Sequence, residues 1–466
     1  MKYVAVIDIG KTNAKLAIVD CEQQREIDVV TTPNTTRDAP PYPHFDTDRI
    51  WQFIITGLKQ FALLYDINAI SVTTHGACVA LLDGAGQFAT PILDYEHQAP
   101  AELTADYSKI RPPFNETGSP QLAAGLNVGA QLYWLFRRFP DLHAKVQTVL
   151  MYPQYWAYRL SGVAANEPTS LGCHTDLWNP LEAEFSGLVD TLNIRGSMAP
   201  VTMPSTILGS IVPEVASATG LPGDTPVCCG IHDSNASLNT HLNKLEEPFS
   251  VVSTGTWVVC LCPGSDMRSL DESRDTLLNV NAAGRPTPSS RFMGGREYDY
   301  LLHTYGAEAT TEICPDVLND SIFILPAVET STGPFQSRKY HWTHNPHSLS
   351  PAQRYNVISF YLAMMTETCL DLCNAQGPVI VEGPFAGNTL YCAMLGAATG
   401  REVLLPDSAS STGTGVGAAL LVSQSSSGRA NDDYHQPPAP ESIADFAAYS
   451  REWKHLAAKE GGSRGS

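Results

Sequence analysis

The chain has little basic character for its size. Among its 466 residues, 29 are lysine or arginine and 48 are aspartate or glutamate, which gives a net charge of −19. So acidic a chain repels phosphate backbones and anionic headgroups, which excludes nucleic acids and membranes as general partners. A small phosphorylated ligand is not excluded, because backbone N–H groups and a metal ion bind phosphate locally whatever the overall charge.

Long apolar segments are also lacking. The chain begins with a short strand-like apolar run that Asp8 interrupts, unlike the hydrophobic region of a signal peptide. No segment approaches the roughly 20 apolar residues that a membrane-spanning helix needs. The sequence therefore predicts a cytoplasmic protein.

The cysteines lack the spacing of zinc ligands. There are 11 of them, scattered along the chain, with Cys228 and Cys229 adjacent and Cys369 and Cys373 one helical turn apart. This pattern predicts reduced thiols in a core rather than a metal site or a disulfide framework.

The length favours two domains, because a single hydrophobic core stops growing well before 466 residues. The helix breaker at Glu246-Glu-Pro248 is the predicted boundary, which gives domains 1–247 and 248–424. Residues 425–466 are predicted to form a tail, partly helical or disordered, with one helix near 443–456. A strand, a glycine turn and a second strand occur at 4–19 and again at 249–261, which indicates an internal duplication of topology.

The first glycine turn, Asp8-Ile-Gly-Lys-Thr-Asn13, connects two apolar strands. Its amide and hydroxyl groups are suitable donors for phosphate, although the spacing of a P-loop is absent. A plain hairpin and a phosphate-binding hairpin both remain open for this segment.

Near the middle of the chain, Gly230-Ile-His-Asp-Ser-Asn-Ala-Ser237 follows a short buried strand. Asp233 projects from the end of that strand, where α/β folds place reactive groups, although it could instead only cap the following helix. His75 and Gly76 end another strand, and Pro91–Glu96 is predicted to be a strand as well. These ends could line a pocket for a polyol, whose hydroxyls need donors and acceptors that are unpaired in the empty site.

The second half carries two comparable segments. Ser253-Thr-Gly-Thr-Trp257 is a glycine turn between strands, and Glu382-Gly-Pro-Phe-Ala-Gly-Asn388 links a buried strand to a helix, a junction that suits a nucleotide. Another glycine-rich turn, Thr412–Gly417, opens a final alanine-rich helix.

Taken together, the chain resembles the FGGY family of carbohydrate kinases over roughly residues 3–422. The resemblance rests on five motifs in order: IDIGKTN, THGACVALLD, GIHDSNAS, STGTW and EGPFAGN. It implies an α/β fold of two actin-like, ribonuclease H-type domains around a central cleft. The sugar would bind mainly to the first domain and ATP mainly to the second.

The resemblance also implies residue roles. Asp233 would be the catalytic base, and Asp8 and Asp233 would hold Mg²⁺. The sugar would contact His75, Gly76, Glu96, His232 and Asp233. ATP would be bound by Asp8, Gly10, Thr12, Asn13, Thr254, Gly255, Thr256, Gly383, Gly387 and Asn388.

Two positions depart from the family pattern. Gly10 is followed by Lys11 where Gly-Thr is usual, so either Thr12 supplies the contact or Lys11 adds a cationic one to phosphate. Glu382-Gly-Pro-Phe385 replaces a run of glycines, which could reshape the base pocket.

Within the family, the chain is similar to the L-rhamnulose and L-fuculose kinases through His232, Trp257 and the segment 151–162, whereas His75-Gly76 resembles the xylulose kinases. The expected activity is ATP-dependent phosphorylation of an L-fuculose-, L-rhamnulose- or ribulose-like ketose at a hydroxyl. The alternatives are a xylulose- or other polyol-specific kinase, a sugar-binding regulatory protein on a kinase scaffold, and an ATPase of another class on the actin-like fold. A homodimer is among the expected assemblies.

Overall fold

The structure is a computed structural model that describes residues 2–267, 270–407, 413–423, 434–438 and 443–462. The chain forms two compact units. The first takes the described residues of Met1–Lys244, Leu278–Pro286 and Ser410–Arg429, and the second those of Leu245–Leu277, Thr287–Ala409 and Ala430–Ser466. Parts of two sequence predictions, Thr412 in the last glycine turn and much of the tail 425–466, lie outside the described residues.

The first unit is built on a mixed sheet. Its strands are β1 (Tyr3–Ile9), β2 (Asn13–Asp20), β3 (Arg25–Pro33), β4 (Ile67–Thr74), β5 (Ile207–Ser210), β6 (Pro226–Cys228) and β7 (Ile231–His232). Their order is β5-β6-β4-β1-β2-β3, and β7 also pairs with β4. β1 and β2 form the predicted antiparallel hairpin, with Ile9 opposite Ala14.

Parallel pairing determines where the polar strand ends lie. β4 runs parallel to both β1 and β7, with Asp8 beside Thr73 and His232 beside Thr74. Because parallel strands end at the same edge of a sheet, Asp8, His75 and Asp233 all lie at one edge.

Helices cover both faces of this sheet. Ala5, Ile7 and Ile9 pack in one apolar cluster with residues of the helix Thr47–Ala62. Val4 and Val6, which point to the opposite face, pack in a second apolar cluster with residues of the helices Asp233–Leu242 and Gly413–Leu420. Burial on both sides explains why β1 is a continuous apolar run rather than an alternating one.

The first unit also contains a smaller sheet of three strands, Val79–Leu82, Phe88–Thr90 and Thr148–Met151. The prediction of a strand at Pro91–Glu96 is wrong: the strand ends at Thr90 because Pro91 has no N–H to continue the ladder. Short strand pairs lie at Thr36–Arg37 with His44–Phe45 and at Trp178–Asn179 with Glu184–Phe185. The other α-helices are Thr104–Tyr107, Phe114–Thr117, Val128–Arg138, Leu142–Lys145, Tyr152–Ser161, Pro168–Leu171, Gly187–Thr191 and Pro213–Thr219.

The second unit repeats the layout. Its sheet contains β8 (Ser250–Thr254), β9 (Val258–Leu261), β10 (Thr276–Val280), β11 (Pro286–Phe292), β12 (Val379–Glu382), β13 (Val403–Pro406) and β14 (Tyr434–His435), in the order β10-β11-β9-β8-β12-β13-β14. In this sheet, residues 278–280 of β10 and Pro286 of β11 are counted with the first unit. β8 and β9 form an antiparallel hairpin, and β8 runs parallel to β12 with Ser253 beside Glu382. A hairpin beside a parallel strand is the arrangement of β1, β2 and β4, so the duplication seen in the sequence is present in the fold.

The helices of the second unit are Gly294–Tyr305, Pro315–Asn319, Pro351–Leu372, Thr389–Thr399 and Ile443–Gly462, and a short strand pair lies at Ile324–Leu325 and His341–Trp342. The last helix extends the one predicted at 443–456. It buries Phe446, Tyr449 and Trp453 in the core of the unit. The Trp453 indole donates to the Ile324 carbonyl over 2.8 Å, so this helix is a packed part of the unit.

Candidate active site

The turn between β1 and β2 is closed and anchored. The Gly10 N–H donates to the Asn13 carbonyl over 2.9 Å. Asn34 then bonds the turn twice: its N–H donates to the Thr12 carbonyl (2.7 Å) and its Nδ2 to the Gly10 carbonyl (2.8 Å). The side chains of Thr12 and Asn13 are exposed and free to meet a ligand. Nothing local in the sequence marks Asn34 as the anchor, since it lies more than 20 residues away.

Lys11, in the same turn, does not project as a free cation. Its Nζ forms a short ion pair with Asp94 and a second one with Glu96 Oε2 at 3.3 Å. It also lies over the rings of Tyr95 and Phe45, 4.5 Å and 5.0 Å from their centroids. Because Lys11 is held by these acidic and aromatic side chains, its contacts favour the alternative in which Thr12, not Lys11, meets the phosphate.

His75 lies inside this aromatic group. Its ring centroid is 5.3 Å from that of Phe45, 5.4 Å from Tyr95 and 5.2 Å from Tyr152. Nδ1 is bonded to the Gly76 carbonyl at 2.8 Å, whereas the buried Nε2 has no hydrogen-bond partner among the described residues. Burial lowers the pKa of His75, so the ring is neutral near pH 7. A neutral, unpaired ring nitrogen is what a hydroxyl-bearing ligand would need.

If these side chains contact a sugar, as the family resemblance implies, Lys11→Met should raise KM for that sugar about tenfold, because Asp94 and Glu96 lose the cation that fixes their positions and a charge-assisted contact contributes about 1–3 kcal/mol. KM for ATP should stay at the wild-type value. Steady-state kinetics with each substrate varied in turn measures both. Lys59→Met, at an exposed lysine, is the control and should leave both KM values unchanged. If Lys11→Met changed only KM for ATP, Lys11 would instead be assigned to the phosphate.

Asp233 follows β7 and begins the helix Asp233–Leu242. Its side chain is 33% exposed, and Oδ1 accepts from the Ser234 N–H (2.6 Å) and lies 3.3 Å from His232 Nε2. Burial raises the pKa of the Asp233 carboxyl, and nearby His75 partly opposes that rise. Burial lowers the pKa of His232 to about 4, so it too is neutral. The carboxylate is thus accessible, more basic than an ordinary aspartate and flanked by neutral imidazoles.

His232 is packed tightly against the end of β4. A Cβ on Gly76 would lie 2.9 Å from His232 Nε2, closer than a side chain tolerates. Gly76 is therefore required for space around the histidine, and its backbone borders the same edge as Asp233.

Asp8 lies on the neighbouring strand end. Its Oδ2 is 3.4 Å from Lys15 Nζ, which also pairs with Glu26 at 2.8 Å. Burial raises the pKa of Asp8; Lys15 lowers it, and the negative charge of Asp233 raises it further. Two carboxylates that repel each other are the kind of oxygen ligands that suit a hard divalent cation. Among the described residues no set of three histidine, cysteine or acidic side chains is placed to hold a metal ion.

In the second unit, the STGTW turn is tied to the EGPFAGN segment. The Thr254 hydroxyl donates to the Glu382 carbonyl (2.6 Å) and accepts from the Phe385 N–H (3.0 Å). Gly383 has φ +82°, and a Cβ there would lie 2.0 Å from the Thr254 carbonyl oxygen. Thr254 and Gly383, both predicted nucleotide contacts, thus join the two segments and do not line the cavity described next.

A cavity of about 890 Å³ lies beside this junction. Four of the predicted nucleotide contacts line it: Gly255, Thr256, Gly387 and Asn388. Pro384 and Phe385 also line it, within the segment that the sequence analysis expected could reshape the base pocket. The lining residues that were missed from the sequence are Gly295, Arg296, Tyr298, Asp299, Tyr300 and Tyr355. Its size and its mixture of aromatic rings with backbone polar groups are those of a small-molecule site.

Phe385 lines the cavity without filling it. The side chain is buried, with its ring 5.4 Å from Tyr298 and 5.2 Å from Tyr391. Asn388 caps the next helix, since Oδ1 accepts from the Tyr391 N–H and Nδ2 donates to Ser359 Oγ. The missing run of glycines is therefore replaced by an aromatic wall, with room left beside it.

Two further features of the described residues concern the cysteines and the longer helices. All eleven cysteines are in the described part of the chain, where none forms a disulfide; ten are buried and Cys314 is partly buried. No helix in the described ranges combines the length and apolar character needed to cross a bilayer.

Comparison with known proteins gives matches along nearly the whole chain. Residues 3–239 match the N-terminal domain of the FGGY family of carbohydrate kinases, and residues 246–430 match the FGGY carbohydrate kinase C-terminal domain. The solved structure of a carbohydrate kinase from Novosphingobium aromaticivorans is 32% identical, with a TM-score of 0.89, covering 99% of this chain and 100% of that one. A xylulose kinase from Rhodospirillum rubrum shares the fold, with a TM-score of 0.78 at 19% identity over 99% of this chain and 98% of that one.

Curated relatives match over a shorter length. L-fuculokinase from Salmonella typhi is 24% identical over 271 residues, covering 55% of this chain and 56% of the relative. Autoinducer-2 kinase from Enterobacter sp. (strain 638) is 23% identical over 248 residues, covering 49% and 45%. The chain thus spans about half the length of the curated relatives it matches. With two family domains matched in order and a full-length structural relative, this chain belongs to the FGGY family of carbohydrate kinases.

Proposed function

We propose that this protein transfers the γ-phosphoryl group of ATP to a hydroxyl of a ketose resembling L-fuculose, L-rhamnulose or ribulose. The observation that carries the proposal is the placement of Asp233. It is an accessible carboxylate at the carboxyl end of β7, at the same sheet edge as Asp8 and the unpaired His75. Its side chain is partly exposed although burial raises its pKa, which suits a general base better than a helix cap alone.

The chemistry needs little covalent participation from the protein. The Asp233 carboxylate accepts the proton of the sugar hydroxyl as that oxygen forms a bond to the γ-phosphorus. The bond from the γ-phosphorus to the β–γ bridging oxygen breaks, and ADP leaves. Such transfers depend on positioning and charge neutralisation. His75 Nε2 and His232 would orient the acceptor as neutral partners, because burial lowers the pKa of both rings.

The remaining roles follow from the groups that each unit offers. Asp8 and Asp233 would hold Mg²⁺, which supplies charge neutralisation on the phosphate oxygens. Thr12 and Asn13 would meet the phosphates from the turn that Asn34 anchors. In the second unit, Gly255 and Thr256 would face the phosphates. The aromatic wall of Tyr298, Tyr355 and Phe385 would hold the adenine base of ATP.

The pH dependence of kcat should carry the signature of Asp233. Because burial raises the pKa of this carboxyl, the base becomes protonated at a higher pH than an ordinary aspartate would. kcat should therefore fall as the pH drops through that raised pKa and be constant above it. A pH profile of kcat at saturating sugar and ATP checks this. An acid limb at or below the range of an unperturbed aspartate would contradict the assignment.

The names of relatives support a ketose as acceptor, since an L-fuculokinase and a xylulose kinase are among them. A xylulose- or polyol-specific kinase is the alternative within the same chemistry. The regulatory alternative was motivated by Phe385, and the open cavity beside that ring removes much of its motivation.

The proposal is tested by ADP release with Mg²⁺-ATP across L-fuculose, L-rhamnulose, D- and L-ribulose, D- and L-xylulose and D-fructose, with glycerol and erythritol as controls. One ketose well above the others is the expected result. Sugar binding by thermal shift without any sugar-dependent ADP release would favour the regulatory alternative. ADP release that is equal with and without sugar would favour an ATPase.

A further inference from the structure

We infer that Thr169 is a positioning residue for Asp233: its hydroxyl, fixed by Glu167, holds the backbone of His232 and so determines where the next residue projects. The inference rests on the proposed function, because it concerns the placement of the proposed base. Thr169 lies in the short helix Pro168–Leu171, which Glu167 caps.

The hydrogen bonds form a directed chain. The Thr169 hydroxyl donates to Glu167 Oε1 over 2.8 Å and accepts from the His232 N–H over 3.0 Å. A hydroxyl has one proton to donate, and Thr169 uses it in the hydrogen bond to Glu167. Toward His232 the Thr169 oxygen is therefore an acceptor only. Glu167 is itself fixed by the N–H groups of Thr169 (2.6 Å) and Ser170 (2.7 Å). Glu167 and Thr169 are fully buried, so water does not compete for these bonds.

The backbone of His232 needs this partner. β7 has two residues, and in the described part of the chain β4 is the one strand with which it pairs. A second neighbouring strand would have accepted a hydrogen bond from the His232 N–H. Thr169 accepts that bond instead. A buried N–H left without an acceptor is unfavourable, so loss of the hydroxyl should displace β7 and the start of the following helix.

The same segment holds the ring of His232. Cys173 Sγ lies 3.3 Å from Nε2, and that nitrogen lies 3.3 Å from Asp233 Oδ1. The segment 167–173 therefore contacts His232 at both backbone and ring, one residue before the base. A displacement of about 1 Å at a reacting group can cost on the order of 10²-fold in rate.

Thr169→Val removes the hydroxyl at nearly constant volume, and Thr169→Ser keeps it. We expect Thr169→Val to lower kcat about 10- to 100-fold and Thr169→Ser to retain a kcat close to wild type. The readout that separates positioning from general stability is a double-mutant cycle with Asp233→Asn. Once the base is gone its placement no longer matters, so Thr169→Val should then reduce the residual kcat less than twofold, a coupling that independent sites do not show.

Equal kcat for Thr169→Val and wild type, or an equal loss in both backgrounds, would overturn the inference. Thermal denaturation checks that each variant folds, and Thr169→Ala replaces Thr169→Val if the valine variant does not. A wild-type protein without sugar-dependent ADP release would overturn the proposed function and this inference together. An active wild type with an uncoupled Thr169 would overturn the inference alone.

Discussion

Asp233→Asn should lower kcat by at least the roughly 10²–10⁴-fold that general-base catalysis contributes. Asparagine keeps the shape and the hydrogen bond from the Ser234 N–H but cannot accept the proton of the sugar hydroxyl. Sugar binding, measured by calorimetry without nucleotide, should stay close to wild type, since the histidines beside Asp233 are unchanged.

A matched control for this substitution is Asp190→Asn. Asp190 is a mostly exposed aspartate, paired on the surface with Arg195 at 2.5 Å, and its loss should leave kcat unchanged. If Asp233→Asn also had a near-normal kcat, Asp233 would be a helix cap and the base would lie elsewhere.

Gly383→Ala should destabilise the second unit and weaken ATP binding. The new Cβ would lie 2.0 Å from the Thr254 carbonyl oxygen at a backbone φ of +82°. The backbone conformation alone costs about 1–3 kcal/mol for a non-glycine residue, and the clash adds to that. Because Thr254 and Phe385 would have to shift, part of this strain should weaken ATP binding. Each 1.4 kcal/mol of binding free energy that is lost lowers the affinity about tenfold.

Gly387→Ala is the control for stability, because it lies in the same segment and a Cβ there would meet nothing within 4 Å. Thermal denaturation should show a lower Tm for Gly383→Ala and a wild-type Tm for Gly387→Ala, and titration calorimetry measures ATP affinity. Wild-type stability and affinity for Gly383→Ala would show that the junction of Thr254 with Gly383 does not determine the pocket.

Periodic signals explain which parts of the fold could be predicted. The continuous apolar run of β1 and the glycine turn after it were sufficient to predict the hairpin, and its repetition at β8 and β9 predicted the duplicated layout. The prediction of a strand at 91–96 was wrong because it gave more weight to the apolar residues there than to the missing N–H of Pro91. A proline at the start of a strand pattern is a better signal of its end.

The site was predictable where a group lies within a local motif. Asp8, His75 and Asp233 each end an apolar strand, and parallel pairing brings such ends together. Contacts between distant segments carry no local signal, which is why Asn34, the pairing of Lys11 with Asp94, and the wall formed by Tyr298 and Tyr355 were missed. Thr169 had a partial signal, since Glu167-Pro168 has the acceptor and the N1 proline of a helix start.

We propose above all that phosphate passes from ATP to a sugar hydroxyl. The most direct measurement is mass spectrometry of the sugar after incubation with the protein and Mg²⁺-ATP, with ADP and inorganic phosphate quantified in the same reaction. We expect one sugar monophosphate for each ADP and no matching inorganic phosphate. Unmodified sugar with equal amounts of ADP and inorganic phosphate would contradict it.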